Sequence, residues 1–163
     1  MKTKELNLFI VENDLLVGMA LEDYLKKRFA SCIRISTFKD GESCLEEVDS
    51  NTHVVILNHS LEGAKGLEVL KSIKETNPNT EVIMLSDRED IALAIESYQA
   101  GANNTVVKGT GSRKKLAVHV KRILMAPIRI IVMELGLSKR LAMFVVSFVT
   151  VGIVVLCVLK FIN

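Results

Sequence analysis

The sequence predicts an α/β fold, a doubly wound parallel sheet of five strands. Five short runs rich in β-branched and aliphatic residues recur within the first 110 residues, and amphipathic helical patterns lie between them. The runs are continuously apolar rather than alternating, which is typical of strands buried on both faces. A long apolar segment further along the chain predicts, in addition, a short interfacial helix followed by one transmembrane helix.

The predicted strands follow one another at intervals that leave room for intervening helices. In chain order they are LNLFIV (6–11), CIRIST (32–37), HVVILN (53–58), EVIMLS (81–86) and NTVVK (104–108). The spacing of apolar residues predicts helices within 14–29, 65–75, 89–100 and 112–124.

Polar residues stand where these strands end. The acidic run VEND (11–14) closes the first strand, Asn58 the third, Ser86 the fourth and Lys108 the fifth. Because the carboxyl ends of parallel strands lie at one edge of the sheet, these side chains should converge and form any site the domain has.

Four segments occur in a fixed order within residues 4–124: LFIVEND, VVILNHSLEGAKGLEVLKSIKE, VIMLSD and AGANNTVVKG. In order and spacing they resemble the receiver domain of bacterial two-component response regulators, which has a flavodoxin-like fold. The resemblance implies a phosphoryl-accepting Asp at the end of the third strand and an acidic pair after the first strand that helps to bind Mg²⁺. It further implies a Ser or Thr after the fourth strand and a Lys after the fifth. The matching residues are Asn58 for the acceptor, Glu12 with Asn13 for the acidic pair, then Ser86 and Lys108.

Asn58 departs from that pattern in a way that changes the chemistry. An amide oxygen is a poor nucleophile and does not form an acyl phosphate. Asn13 is also neutral, so Glu12 is the one anion at the matched positions, whereas Mg²⁺ prefers anionic oxygens. We expect no metal site and no cofactor. A weak metal site would use Glu12 and Asp14, although helix capping is the simpler role for Asp14.

Three further departures surround the same pocket. Asp87 stands where the family has a small residue, Thr105 where it has an aromatic, and Gly109 where it commonly has a proline. With Asn13 and Asn58 these changes predict a degenerate pseudo-receiver that has no catalytic residues. For the two retained residues we expect structural roles, with Lys108 paired to Glu12 and Ser86 bonded either to Asn58 or to a loop. His59 is expected to be an ordinary loop residue.

Residues 141–159, LAMFVVSFVTVGIVVLCVL, form a run of 19 without a charge. As a helix the run extends about 28 Å, close to the thickness of the hydrocarbon layer. Leu141, Phe144, Phe148, Ile153 and Leu159 are among its residues, and Ser147 and Thr150 can bond back to helix carbonyls. Basic residues are concentrated before this run, which predicts a single-pass anchor in the bacterial inner membrane with the N-terminal domain in the cytoplasm.

The predicted domains are a receiver-like domain (1–125), a connector (126–137) and a transmembrane anchor (138–163). The connector is apolar but carries Arg129 and Glu134, so it is expected to lie at the membrane interface or against a partner. A plain continuation of the preceding helix is the alternative. No signal peptide is expected, since the apolar stretch near Met1 is short and interrupted by Asn7.

Charge is distributed unevenly along the chain. Residues 1–110 carry 12 Lys and Arg against 18 Asp and Glu, a net charge of −6, whereas residues 111–163 carry 9 against 1, a net charge of +8. Next to a membrane anchor, the basic part favours anionic lipid over nucleic acid. The sequence thus predicts an adaptor or accessory subunit that binds membrane or signalling proteins, and it leaves self-association open. The alternative is a regulator phosphorylated through His59 or Asp14, or one that responds to a metal.

Overall fold

The computed structural model describes residues 5–29, 32–61, 65–126 and 147–151. The chain divides into two units, Met1–Val120 and Lys121–Asn163. The first unit holds the predicted sheet. Its strands are β1 (Leu6–Val11), β2 (Ile33–Phe38), β3 (Thr52–Asn58), β4 (Glu81–Ser86) and β5 (Asn104–Val107). All are parallel, in the order β2-β1-β3-β4-β5, which confirms the predicted doubly wound sheet.

Five helices alternate with the strands: α1 (Leu15–Phe29), α2 (Gly41–Glu47), α3 (Gly66–Thr76), α4 (Ile91–Gln99) and α5 (Ser112–Leu124). Three of them fall within the predicted helical ranges, and α3 extends one residue beyond its predicted range of 65–75. The sequence pattern did not reveal α2, because its seven residues bury only Gly41 and Cys44 and carry no repeating apolar face. Its start is set instead by Asp40, whose carboxylate accepts a hydrogen bond from the Ser43 amide at 2.8 Å.

The core lies on both faces of the three central strands, whose apolar side chains are almost completely buried. Phe9, Val11, Val55, Leu57 and Met84 point to one face and pack against residues of α2 and α3. Their neighbours along each strand point to the opposite face, as strand geometry requires. This two-sided burial explains why the runs are continuously apolar, and it holds the carboxyl ends of β1, β3 and β4 rigidly side by side.

Gly66 fixes the approach of α3 to the end of β3. A Cβ atom at this position would lie 2.6 Å from the Asn58 carbonyl oxygen and 2.8 Å from His59 Cα. Only glycine therefore lets α3 begin this close to the third strand, and the Gly66 amide donates to the His59 carbonyl at 3.1 Å.

The predicted membrane segments fall largely outside the described residues. Of the span, residues 147–151 are helical, and Phe148, Val149 and Val151 are exposed, while Leu141, Phe144, Ile153 and Leu159 lie outside the described part. Thr150 Oγ1 donates to the Ser147 carbonyl at 2.8 Å, as predicted for a hydroxyl inside a helix. Connector residues 127–137 also lie outside it. Within the described ranges, no helix combines the length and the apolar character needed to cross a membrane.

Candidate functional site

Asn58 is the last residue of β3 and is almost completely buried, with 2% of its surface exposed. Its side-chain Nδ2 donates to Glu12 Oε1 and to Asn13 Oδ1, each at 2.8 Å, and lies 3.4 Å from the Ser60 carbonyl oxygen. Its Oδ1 accepts a hydrogen bond from the Ser60 amide at 3.2 Å. These partners fix the orientation of the amide, because Nδ2 faces acceptors and Oδ1 faces a donor.

Three oxygen atoms, two from the end of β1 and one from the loop after β3, thus converge on one nitrogen. The end of the Asn13 side chain also lies 3.1 Å from Glu12 Oε1 and 3.3 Å from the Ser60 oxygen, and turning its amide over would let its nitrogen donate to both. In that orientation, however, two donor nitrogens would face each other at 2.8 Å. With its oxygen toward Asn58, Asn13 accepts from Nδ2 but places that oxygen against two other acceptors, Glu12 Oε1 and the Ser60 carbonyl, so the Asn58 donor offsets the repulsion among these oxygens.

Glu12 has a second partner on its other oxygen. Its side chain is 1% exposed, and Oε2 lies 2.8 Å from Lys108 Nζ. Burial tends to lower the pKa of Lys108, but hydrogen bonds to Glu12 and Asp87 outweigh that effect and raise the pKa above its ordinary value of 10.5. The predicted pairing of Lys108 with Glu12 is confirmed, and it compensates the one deeply buried carboxylate of the pocket.

Asp87 joins this ion pair, which the sequence reasoning missed. Its Oδ1 lies 3.0 Å from Lys108 Nζ, while more than half of its side chain stays exposed. From the sequence, Asp87 is only a departure from the small residue that the family has at this position. The pairing of Asp87 with Lys108 follows from the adjacency of β4 and β5. The Lys108 amide donates to the Ser86 carbonyl at 2.8 Å, which places residues 87 and 108 side by side.

Ser86 is bonded to its own loop and not to Asn58. Its Oγ donates to the Arg88 carbonyl at 2.6 Å and accepts from the Arg88 amide at 3.3 Å. Of the two partners considered for Ser86, the loop is therefore correct. The hydroxyl ties down the β4–α4 connection and takes no part in the hydrogen bonds around Asn58.

Asp14 caps α1, as predicted. Its Oδ1 accepts from the Leu16 amide at 2.9 Å and from the Val17 amide at 3.2 Å. Glu12 Oε1 accepts from the Asp14 backbone amide at 3.2 Å, so the two residues meet through the backbone. In the described part of the chain, no three His, Cys, Asp or Glu side chains are grouped as a metal site would require.

Thr105 borders a cleft of about 290 Å³ beside the pocket. Among the other residues that line it are His59, Met84, Ser86, Ile91 and Lys115. The small Thr105 side chain leaves this space between α4 and the strands unfilled. Gly109, just beyond β5, has a φ of +137°, which favours glycine over the proline expected from the resemblance.

Comparison with known proteins agrees with this architecture. The family model of the response regulator receiver domain matches residues 8–121. The chain belongs to the response regulator receiver family. Its fold matches the solved BeF3-activated DrrB receiver domain with a TM-score of 0.66 and 30% identity, covering 74% of this chain and 97% of that one. DrrB of Thermotoga maritima, an OmpR/PhoB homologue, matches with a TM-score of 0.64 and 28% identity, over 76% of this chain and 54% of that one.

Among curated relatives, the DNA-binding transcriptional regulator NtrC of Escherichia coli K12 is 33% identical over 95 residues, which are 58% of this chain and 20% of NtrC. The transcriptional regulatory protein ResD of Bacillus subtilis is 23% identical over 124 residues, which are 76% of this chain and 50% of ResD. The chain therefore spans a fifth to a half of the length of these relatives, and the similarity concerns the receiver portion.

The Mg²⁺ ion that receivers use does not fit the pocket of this chain. Glu12 is the one buried carboxylate there, and its Oε2 is engaged by the Lys108 ammonium, which also holds the more exposed Asp87. The Asn58 nitrogen already donates to Glu12 Oε1 and Asn13 Oδ1, oxygens that the matched positions would direct at a cation. A cation at these oxygens would have to displace the Asn58 nitrogen, whose hydrogen bonds are already satisfied. In exchange it would contact only one buried negative charge, that of Glu12.

Proposed function

We propose that this protein is a membrane-tethered pseudo-receiver that does not take up a phosphoryl group and acts by binding other proteins. The observation that carries this proposal is the Asn58 amide, which stands at the end of β3 with its nitrogen satisfied by Glu12 and Asn13. A receiver acceptor needs a free carboxylate oxygen at this point, and an amide supplies neither the nucleophile nor the negative charge.

The remaining polar groups of the pocket also support a domain that is not phosphorylated. Glu12 is held between Asn58 and Lys108, and Ser86 is held by Arg88. Each group has a partner within the domain, so the pocket is stable in one arrangement without any added ligand. We therefore expect the domain to present one constant surface, and its association with partners to be independent of a kinase.

The tether rests on the sequence of the C-terminal region. The uncharged run of 19 residues and the basic residues before it have the length and charge bias of an inner-membrane anchor. A tethered domain is concentrated at the bilayer, which raises the effective concentration of weak binding surfaces. The small or hydroxylated residues Gly152, Ser147 and Thr150 suit close helix contacts, which favours an accessory subunit of a membrane complex over a freely diffusing adaptor.

The phosphorylation proposal is tested with residues 1–126, incubated with a small-molecule phosphodonor and Mg²⁺ and analysed by intact-mass spectrometry. This fragment contains the whole matched family region. We expect no added phosphoryl mass. Stoichiometric phosphorylation that disappears in one substituted variant would overturn the binding-only function.

The competing function is phosphorylation through His59 or Asp14. It is tested by the substitutions His59→Gln and Asp14→Asn. The Asp14 carboxylate already accepts two backbone amides of α1, and the His59 amide is bonded to the Leu85 carbonyl at 2.8 Å. Asp14 is thereby committed to capping, which disfavours it as an acceptor. Asn58→Asp is the positive control. If this variant alone gains the mass of a phosphoryl group, the replacement of Asp by Asn at position 58 is by itself sufficient to prevent phosphorylation.

The tether is tested separately by alkaline extraction of membranes that contain the full chain. We expect the full chain to remain in the membrane pellet and residues 1–126 to be released. Release of the full chain would refute the tether and leave the pseudo-receiver chemistry untouched.

A further inference from the structure

The exposed side of α5 carries a strip of positive charge. Residues three, four and seven apart on a helix share one side, and in this helix that side holds Lys114, Lys115, Lys121 and Arg122. All four are exposed, whereas Leu116, Ala117 and Val120 are buried on the opposite side. We call these four cations the α5 basic strip.

The strip is not neutralised within the domain. The helix contains no Asp or Glu, and none of the four cations forms an ion pair with any residue that the structure describes. Arg113, in contrast, points away from the strip and lies over the Tyr24 ring, 5.9 Å from its centroid. The charge of the strip is therefore available to an external anion.

Apolar side chains run along the middle of the strip. Val118 is 51% exposed, and Met125, whose amide continues the helix by bonding to the Lys121 carbonyl, is 41% exposed. Helical spacing puts Lys114 and Lys121 on one flank of this apolar line and Lys115 and Arg122 on the other. A helix side with cations on both flanks of an apolar centre suits the interface of an anionic bilayer.

We propose that the α5 basic strip binds the anionic headgroup surface of the membrane, with Val118 and Met125 inserted between the headgroups. This inference deepens the proposed function, because it gives the tethered domain a fixed face toward the bilayer. The contact is separate from the Asn58 pocket and from the predicted span. It is consistent with the charge of the whole region, which is +8 over residues 111–163.

Anionic lipid is favoured over nucleic acid by the two apolar residues. A phosphate backbone is bound by cations and by hydrogen-bond donors, and exposed Val and Met side chains offer it neither. At a bilayer each basic residue near the surface changes the partition coefficient by roughly fivefold, and apolar side chains add to the affinity. Substitution of Val118 should therefore weaken binding to anionic lipid and leave binding to nucleic acid unchanged.

The test uses residues 1–126, because the solved DrrB receiver, of which this chain covers 97%, is a receiver domain on its own. Binding is measured by co-sedimentation with vesicles of phosphatidylcholine alone and with vesicles containing about one-third phosphatidylglycerol. We expect binding to the anionic vesicles only, and loss of binding as salt rises from about 0.05 M to about 0.5 M. Equal binding to both vesicles, or none to either, would overturn the proposal.

Matched variants locate the surface. The double substitution Lys114→Glu with Lys121→Glu should weaken binding roughly 30-fold or more. The control, Lys39→Glu with Lys71→Glu, makes the same change in net charge at exposed positions outside α5 and should weaken vesicle binding less than about threefold. Equal losses in the two variants would mean that net charge, and not this strip, drives binding, which would overturn the assignment.

Val118→Ser should weaken vesicle binding roughly threefold while leaving the fold intact, since the side chain is largely exposed. Random-sequence duplex DNA is the competing ligand. Tighter binding to DNA than to anionic vesicles, unaffected by Val118→Ser, would replace lipid with nucleic acid as the partner. Alkaline extraction of the full chain reports the tether independently, so either proposal can fail alone.

Discussion

The two carboxylate oxygens of Glu12 face two different environments, and the pocket divides accordingly. In the amide half, Oε1 accepts from Asn58, which also donates to Asn13. In the ionic half, Oε2 meets Lys108, which also contacts Asp87. The amide half contains the two neutral substitutions relative to the receiver pattern, whereas the ionic half keeps the family lysine.

The difference between the halves shows how groups of the protein itself satisfy the buried Glu12 carboxylate. The Asn58 nitrogen supplies hydrogen-bond donors to oxygens that a cation would otherwise satisfy, and Lys108 supplies the positive charge. Neither half is sufficient alone, because Glu12 is buried and needs both hydrogen bonds and a counter-charge. Substitutions in each half test this division.

The largest effect is expected in the ionic half. Lys108→Met leaves Glu12 buried without a counter-charge and should lower the free energy of unfolding by about 3 kcal/mol, as measured by urea denaturation. Lys71→Met, at an exposed position of α3, is the control and should change it by less than about 0.5 kcal/mol. Adding Glu12→Gln to Lys108→Met should recover part of the loss; no recovery would mean that Lys108 acts through packing alone.

The amide half is tested by Asn58→Asp, which replaces the donor nitrogen by a second anion beside Glu12. Without divalent cations we expect the free energy of unfolding to fall by about 2 kcal/mol. Added Mg²⁺ should restore much of the loss, because the introduced carboxylate supplies the missing anionic ligand. Asn13→Asp adds the same charge at an exposed position and should cost less. If Mg²⁺ stabilises the unsubstituted protein equally, the amide half does not exclude the cation as we infer.

The ionic half is also tested by comparing the stability of the unsubstituted protein and Lys108→Met at alkaline pH. The pKa of Lys108 is raised in the folded state, so its contribution is fully present below the unfolded value of 10.5 and is lost as the pH rises through the folded pKa. We therefore expect the difference in unfolding free energy between the unsubstituted protein and Lys108→Met to be constant between about pH 8 and about pH 10 and to narrow above 10.5. A difference that already narrows between about pH 8 and about pH 9 would contradict the raised pKa.

The sequence predicted the sheet, four of the five helices and the ends at which the pocket forms, because long apolar runs and helical spacing are strong signals. It also predicted the pairing of Lys108 with Glu12. It did not predict α2, which is too short to show a periodic face and depends on the Asp40 cap. The hydrogen-bond partner of Ser86 could not be predicted either. Whether its hydroxyl bonds to Asn58 or to Arg88 depends on the geometry of the β4–α4 loop, which no local sequence pattern encodes.

The smallest effect is expected for Asp87, the outer partner of the ionic half. Its side chain is more than half exposed, so water and salt screen its attraction to Lys108. Asp87→Asn should therefore lower the free energy of unfolding by only about 0.5 kcal/mol, and high salt should remove the difference. Glu12→Gln, which removes the buried partner of the same lysine, should cost clearly more at every salt concentration. If the two substitutions cost the same, the charge of Lys108 is held by its exposed partner as much as by Glu12, and the division of the pocket at Glu12 is wrong.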